Sequence, residues 1–324
     1  MWQPDGVSPL PAATRTLAAV TGAGAVLGAG LATYAACEAQ AYTLRRVEVP
    51  LLPAGHRPLR VLHLSDLHVT PGQRRKLAWI AGLADLEPDL VVDTGDNLAH
   101  RDSVGPLLEA LGPLLDVPGV FVLGSNDYFE PTMRNPLRYL LPDDGRRHTD
   151  TPHLPWRDLV AAFTGSGWLD LTNRTGALTI GDTTVSFAGV DDPHLGYDRL
   201  GDVTGVAGAD RHGDVRLGVA HAPYLRVLDA FAADDCDAVL AGHTHGGQVC
   251  LPGGRALTTN CDLDAARARG LHRHPADSRP GDPGSAWLHV SAGLGTSPYV
   301  RLRLACRPEA TLLTLVPRPT PPAG

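Results

Sequence analysis

Two short polar runs, far apart and each following an apolar segment, constrain this chain more than any other feature: Asp66-Leu67-His68 and Gly242-His243-Thr244-His245-Gly246-Gly247-Gln248. Between them lie Gly95-Asp96-Asn97, Gly124-Ser125-Asn126-Asp127 and His221, again at the ends of short apolar stretches. One such run alone reads as an ordinary turn. Five of them put carboxylate, amide and imidazole groups where a sheet fixes the backbone and a loop exposes the side chain, as a two-metal site requires.

The elements around these runs have a regular rhythm. Leu59–Leu64 reads as a strand ending at Ser65-Asp66, followed by an amphipathic helix from Gln73 to Leu86. A second strand, Leu90–Thr94, ends at Gly95-Asp96; a helix over Val104–Leu115 leads to a third strand, Val120–Leu123, ending at Gly124. This alternation predicts an α/β fold with a mainly parallel sheet and its chemistry at the strand carboxyl ends. The second half predicts a helix near Trp156–Thr164, a hairpin over 177–188 turning at Gly181-Asp182, and strands Val215–Ala220 and Ala238–Ala241 ending at His221 and Gly242. Trp287–Ala292 and Ala310–Val316 close the sheet. Pro50, Pro53 and Pro58 mark 42–58 as a linker. Residues 142–155 read as a polar insertion, 262–285 as irregular, and 317–324 as a disordered tail, leaving 59–316 as the catalytic domain.

Composition narrows the functional classes. A net charge of -7 and a pI near 6.0 disfavour nucleic-acid binding through bulk electrostatics. The five cysteines contain no CxxC pair, which argues against a zinc ribbon, and the odd count argues against a full disulfide framework; a Cys250–Cys261 pair stays open.

No charged residue occurs from Thr16 to Cys37, a length that suffices for a bilayer-spanning helix of roughly 20 residues. The run is rich in Ala and Gly rather than Leu, so its insertion energy is modest, and Gly24 and Gly28 supply a small-xxx-small face. Residues 1–41 are therefore expected to be a membrane anchor, making the chain a single-pass protein of the cell membrane. A signal peptide cleaved near Ala39-Gln40-Ala41 and a soluble Ala-rich helix are the alternatives. Arg45 and Arg46 after the run, against Arg15 before it, lean toward a cytoplasmic domain, but the side stays open.

Asp and His in Asp-x-His can share one cation, and Asp96 can bridge two with its two oxygens. Asn and His groups from later loops suit the second. A nitrogen and oxygen donor set without thiolate favours Mn, Fe, Zn or Co. Two such ions about 3.5–4 Å apart can clamp a phosphate and activate a water for in-line attack.

In this order, the series Asp66-x-His68, Gly95-Asp96-Asn97, Gly124-Ser125-Asn126-Asp127, His221 and Gly242-His243-x-His245 resembles the calcineurin-like metallophosphoesterase superfamily over residues 59–316. The Gly-Gly-Gln that follows resembles its bacterial, membrane-associated branch. The resemblance implies two mixed β-sheets packed face to face and flanked by helices. It also implies two divalent metal ions: Asp66, His68, Asp96 and His245 around one, and Asp96, an Asn, His221 and His243 around the other. The chain departs from the family at Gly124-Ser125-Asn126-Asp127, where the usual pattern is Gly-Asn-His-Asp. Column by column, Ser125 takes the place of the metal-binding Asn; with a one-residue shift, Asn126 is the ligand, and an amide oxygen is the better hard-cation ligand. Either way the His that assists the leaving group is missing.

These readings predict a dinuclear phosphoester hydrolase acting on phosphodiester or pyrophosphate bonds of a membrane-proximal, lipid-linked substrate. Asp96, Asn126, His221 and His194 are its catalytic candidates, with His100 as a second substitute for the missing acid. Asn97 is expected to shape its loop, Asp127 to cap a helix or orient a ligand, and His63, by strand parity, to be structural. A phosphodiesterase on soluble nucleotides and a catalytically weak metal-binding scaffold are the alternatives.

Overall fold

The computed structural model describes residues 12–133, 145–147, 149–205 and 213–319, with the backbone alone at 12–23 and 25. Two six-stranded sheets carry the fold. The first has the order β1 (Thr43–Leu52), β12 (Glu309–Pro317), β2 (Leu59–Leu64), β3 (Leu90–Asp93), β4 (Gly119–Phe121), β5 (Leu169–Asp170). The second has the order β10 (Gly270–His274), β11 (Ala286–Val290), β9 (Ala238–Ala241), β8 (Val215–Val219), β7 (Thr183–Gly189), β6 (Arg174–Ile180). Both sheets are mixed: β12 runs antiparallel to β2, β10 to β11 and β6 to β7, while the remaining pairs are parallel.

Strand parity builds the layers. Val61, Leu90, Val92 and Val120 from one sheet meet Val185, Phe187, Leu217 and Leu240 from the other in a single buried cluster. The alternate residues Leu62, Leu64, Val91 and Phe121 turn outward, toward α2 (Arg74–Ala81), α3 (Val104–Leu111) and α5 (Trp156–Gly165). On the far side, Ala188, Val239, Leu288 and Val290 pack under α6 (Leu225–Ala233). Side chains that alternate across a strand can serve two cores only when both faces are covered, which is why these strands read as nearly continuous apolar runs. His63 sits between the sheets, its Nδ1 2.8 Å from His289 Nδ1 and its Nε2 3.1 Å from Thr94 Oγ1.

Several sequence expectations need correction. Most of the expected linker, 42–58, is β1, paired parallel with β12 from Thr43 to Leu52. Pro50 is compatible with it because β1 is an edge strand, where a missing N–H breaks no ladder. The irregular region 262–285 contains β10, and Pro317, the first residue of the expected tail, ends β12. Residues 320–324 lie outside the described ones, as do 142–144 and 148 of the polar insertion. All five cysteines are free. Cys250 lies beside Cys306 rather than pairing with Cys261: both thiols donate to the Gly246 carbonyl, at 3.2 and 3.5 Å.

The uncharged N-terminal run is helical, within α1 (Ala12–Glu38). Among the described residues, no helix is long and apolar enough to cross a membrane. The last turn of α1 docks on the domain: the Ala35 carbonyl accepts the Arg303 N–H at 3.0 Å, and the Glu38 carboxylate accepts the Ala305 N–H at 3.0 Å. Further up the helix, Val26, Leu27, Leu31 and Tyr34 are exposed.

A linker and a core strand differ in what they lose on truncation. Leu52 is fully buried, so Leu52→Ala is expected to cost about 2–5 kcal/mol, read from the denaturant midpoint. An unchanged midpoint would return 42–58 to a linker.

Candidate metal centre

The strand carboxyl ends of both sheets converge at one seam. Asp66 and His68 follow β2, Asp96 follows β3, Asn126 lies in the short helix α4 (Ser125–Tyr128) after β4, His221 follows β8, and His243 and His245 follow β9. Cross-sheet bonds fix the seam: His243 N–H donates to Asp66 Oδ2 at 3.0 Å, and His221 Nδ1 lies 2.8 Å from the Thr94 carbonyl. Two glycines of the runs are required by space. A Cβ at Gly242 would lie 1.8 Å from Ser65 Oγ, and one at Gly124 would lie 2.3 Å from Asp96 Oδ1. Asp66, His68, Asp96, His243 and His245 all hold positive φ between 41° and 67°, a region where such side chains persist only if the surroundings enforce it.

Asp96 divides its two oxygens between two groups of ligand atoms. Its Oδ2 lies 3.5 Å from His68 Nε2, which faces His245 Nε2 at 3.3 Å; His245 Nε2 lies 3.6 Å from Asp66 Oδ1. Its Oδ1 lies 3.5 Å from His221 Nε2, which faces His243 Nδ1 at 3.3 Å. The tautomers of the second group follow from its outer bonds. His221 Nδ1 meets the Thr94 carbonyl and His243 Nε2 meets the Asn260 carbonyl at 3.2 Å, so both protons sit on those outer nitrogens. With both imidazoles neutral, two lone pairs then face each other and a carboxylate oxygen, an arrangement that a bound cation would satisfy. Asp66 Oδ1 is buried without a hydrogen-bond partner, which the first group explains in the same way. Asp66, His68 and His245 lie within 4.8 Å of one another, as do Asp66, Asp96 and His221. The residues present fit two metal ions.

Burial and mutual charge displace five of these groups. Burial pushes the Asp66 carboxyl up to about 6, with Asp96 adding and His221 opposing. Burial also drives His68 down to about 4 and His245 well below its ordinary value. Burial would lower His221 as well, but Asp96, Asp192 and Asp66 around it outweigh that and raise it to about 9. Asp96 is held below its ordinary value although burial opposes this, because His221, His68 and the two Asn126 N–H groups favour its charge.

Asn126 answers the loop ambiguity in part. Its backbone N–H reaches Asp96 Oδ1 at 2.7 Å and its side-chain amide reaches Asp96 Oδ2 at 2.6 Å, so Asn126 lies at the bridging carboxylate. His194 is also brought in: its ring lies 4.4 Å from that of His243, and its Nδ1 3.1 Å from Tyr224 Oη. His100 instead accepts the Asp102 N–H and is half-exposed. Asn97 shapes its loop, donating to Asp93 Oδ1 at 2.9 Å.

Three residues do more than their sequence context suggested. The buried Asp127 carboxylate accepts the N–H groups of Asp96, Asn97, Leu98 and Gly124, at 2.8–3.2 Å, and so holds the Asp96 loop. Asp192 is fully buried with Oδ2 unpartnered; burial raises it to about 7 while His221 opposes. Its only sequence signal was its place in Asp191-Asp192-Pro193-His194 after an apolar strand. Arg303, also fully buried, donates to the carbonyls of His245, Ala292, Gly293 and Gly295, tying the ligand turn to the loop behind Asp66. Nothing near it in sequence pointed there.

If Asp127 holds the Asp96 loop, Asp127→Ala should weaken metal binding by about 10- to 100-fold, measured by Mn²⁺ titration. Wild-type affinity in a folded variant would show that the loop is held by other means.

A family model, calcineurin-like phosphoesterase, matches residues 59–247, more than half of the chain. A Bacillus subtilis (strain 168) protein named uncharacterized metallophosphoesterase YkoQ is 28% identical over 270 residues, 80% of this chain and 84% of its own. A Bos taurus protein named transmembrane protein with metallophosphoesterase domain is 27% identical over 224 residues, 65% of this chain; the chain spans only 46% of that protein's length. Among solved structures, the NAD nucleotidase NadN of Haemophilus influenzae is 12% identical, covering 74% of this chain and 51% of its own at a TM-score of 0.42, too distant to bear on function. The match across both halves of the seam settles the family: this chain belongs to the calcineurin-like phosphoesterases and is a metal-dependent phosphoesterase.

Proposed function

We propose that Asp66, His68, Asp96 and His245 hold one divalent ion, that Asp96, Asn126, His221 and His243 hold the other, and that the pair hydrolyses phosphodiester or pyrophosphate bonds in a substrate at a membrane surface. The division of the Asp96 oxygens between two facing pairs of imidazoles carries this reading. Bound there, the ions would supply Lewis-acid polarisation of a phosphoryl group and activation of a nucleophilic water. The chain's own residues do the rest. Asp127 fixes the Asp96 loop, the Thr94 and Asn260 carbonyls set the imidazole tautomers, and burial keeps bulk water from screening the charges. His221 also stands where negative charge would gather on the substrate.

With Asn126 turned so that its amide oxygen faces the metal, 125–127 offer no imidazole to protonate a leaving oxygen; amide orientation is free to choose, since oxygen and nitrogen are interchangeable by a half-turn. His194, ring to ring with His243 and bonded to Tyr224, is the group placed to do so. The membrane part of the proposal rests on the uncharged run Thr16–Cys37, the exposed apolar side chains of α1, and the name of the bovine relative.

With Mn²⁺, the protein is expected to turn over bis(p-nitrophenyl) phosphate, and Asp96→Asn to lose that turnover by more than about 100-fold together with part of its bound metal. Metal binding without turnover of any phosphoester would move the weight to a scaffold. His194→Ala should slow alkyl esters about 100-fold and aryl esters much less, because aryl leaving groups need no proton. Equal losses on both would remove His194 from the leaving-group role.

A further inference from the structure

The end of α1 and the metal-ligand turn meet on one surface, and its chemistry suits an anionic bilayer. The uncharged run extends to Cys37, yet the Ala35 carbonyl already accepts the Arg303 N–H and Glu38 accepts the Ala305 N–H. No free linker separates the run from the domain. At 1.5 Å per residue, a helix entering a bilayer just upstream of Ala35 leaves the surface around 303–305 in the headgroup layer.

That surface consists of two segments, 248–257 and 297–307. They are joined where Leu304 N–H donates to the Gln248 carbonyl at 3.0 Å and Cys250 N–H to the Leu304 carbonyl at 2.8 Å. Cys250 also bridges antiparallel to Ala256, and both are buried. By strand parity, Leu251 and Leu257 then share the opposite, outward face, and both are exposed, at 48% and 43%. Tyr299, 49% exposed, adds a third large apolar group. Neither segment contains an Asp or Glu, whereas Arg255, Arg301 and Arg307 are exposed on them, in a chain whose net charge is -7. Apolar groups with basic neighbours and no acid match the requirements of an anionic interface.

The same segments border the site. The 248–257 hairpin directly follows the turn bearing His245, Arg303 binds the His245 carbonyl, and the Asn260 carbonyl just beyond the hairpin holds His243. We propose that the 248–257 hairpin and the 297–307 loop seat on an anionic lipid bilayer, so that the metal site takes the phosphoester of a lipid headgroup without its leaving the membrane. This rests on the membrane reading above and adds to it a face and a substrate class.

The test uses the full chain with vesicles of phosphatidylcholine and phosphatidylglycerol at 3:1, with flotation reporting attachment and amide hydrogen exchange reporting the face. The expected result is flotation with slowed exchange at both segments. In Leu251→Asp/Leu257→Asp, flotation persists and bis(p-nitrophenyl) phosphate turnover is unchanged, while protection of 297–307 and hydrolysis of a vesicle-embedded phosphodiester fall about tenfold, as partial exposure of two leucines predicts. Protection without flotation after centrifugation would still support the face and would count against the anchor. Flotation with identical exchange in wild type and variant would overturn the face and leave the anchor standing. Loss of both would overturn both. Protection that rises with protein concentration in the absence of vesicles would assign the surface to a second copy and overturn the proposal.

Discussion

Asp96 is the point on which the site depends. One carboxylate faces two pairs of imidazoles, and each pair is divided between loops that neither strand nor helix geometry would bring together alone. Its own backbone has a φ of 58°, and four more of the candidate ligands share the left-handed region. Such conformations cost about 1–3 kcal/mol each when the residue is not glycine. They persist because the sheet seam behind them is rigid. Val61, Val92, Val120, Val219 and Leu240 fix the strand ends to within packing tolerance, and Asp127 anchors the turn with four backbone bonds. The buried core between the sheets thus supports ligand geometry as much as overall stability.

What the sequence made legible follows from that division. Strands buried on both faces have long apolar runs, so β2, β3, β8 and β9 could be read nearly to the residue, and the ligands came with them as the next residues along. The edge strands could not be read this way. β1, with Arg45, Arg46 and Glu48 on its exposed positions and Pro50 in its path, looks like a linker until β12 is known to lie beside it. β10, Gly-Leu-His-Arg-His, has the same problem at the edge of the other sheet. Asp192 and Arg303 were hidden for a different reason. Their roles depend on groups far away in sequence, His221 and the carbonyls of Ala292, Gly293 and Gly295, which no local pattern announces.

The N-terminal boundary shows how function depends on such contacts. Sequence pattern ends the helical run near residue 41, but Ala35, Glu38 and Ala39 are buried against the domain, and Arg303 links that contact to the metal-ligand turn. The last turn of α1 therefore belongs to the catalytic domain. Any anchor would begin upstream of it, and the orientation of the helix would be transmitted to the turn bearing His245 through the buried Arg303 guanidinium and the Cys306 thiol, both bonded to the His245 carbonyl.

The substitution at 125–126 fixes what kind of catalysis remains. A single amide cannot both present its oxygen to a cation and donate a proton to a leaving group, and a neutral amide has no proton to give at any ordinary pH. On the proposed assignment, Asn126, which lies beside Asp96, keeps the first capacity and gives up the second. On the function proposed above, acid assistance falls to His194, which is held from both sides: its ring lies against His243, and its Nδ1 is bonded to a tyrosine whose hydroxyl also accepts from Arg147 at 3.0 Å. On that proposal the acid is carried by the loop after β7 of the second sheet, and Asn126 by the helix after β4 of the first.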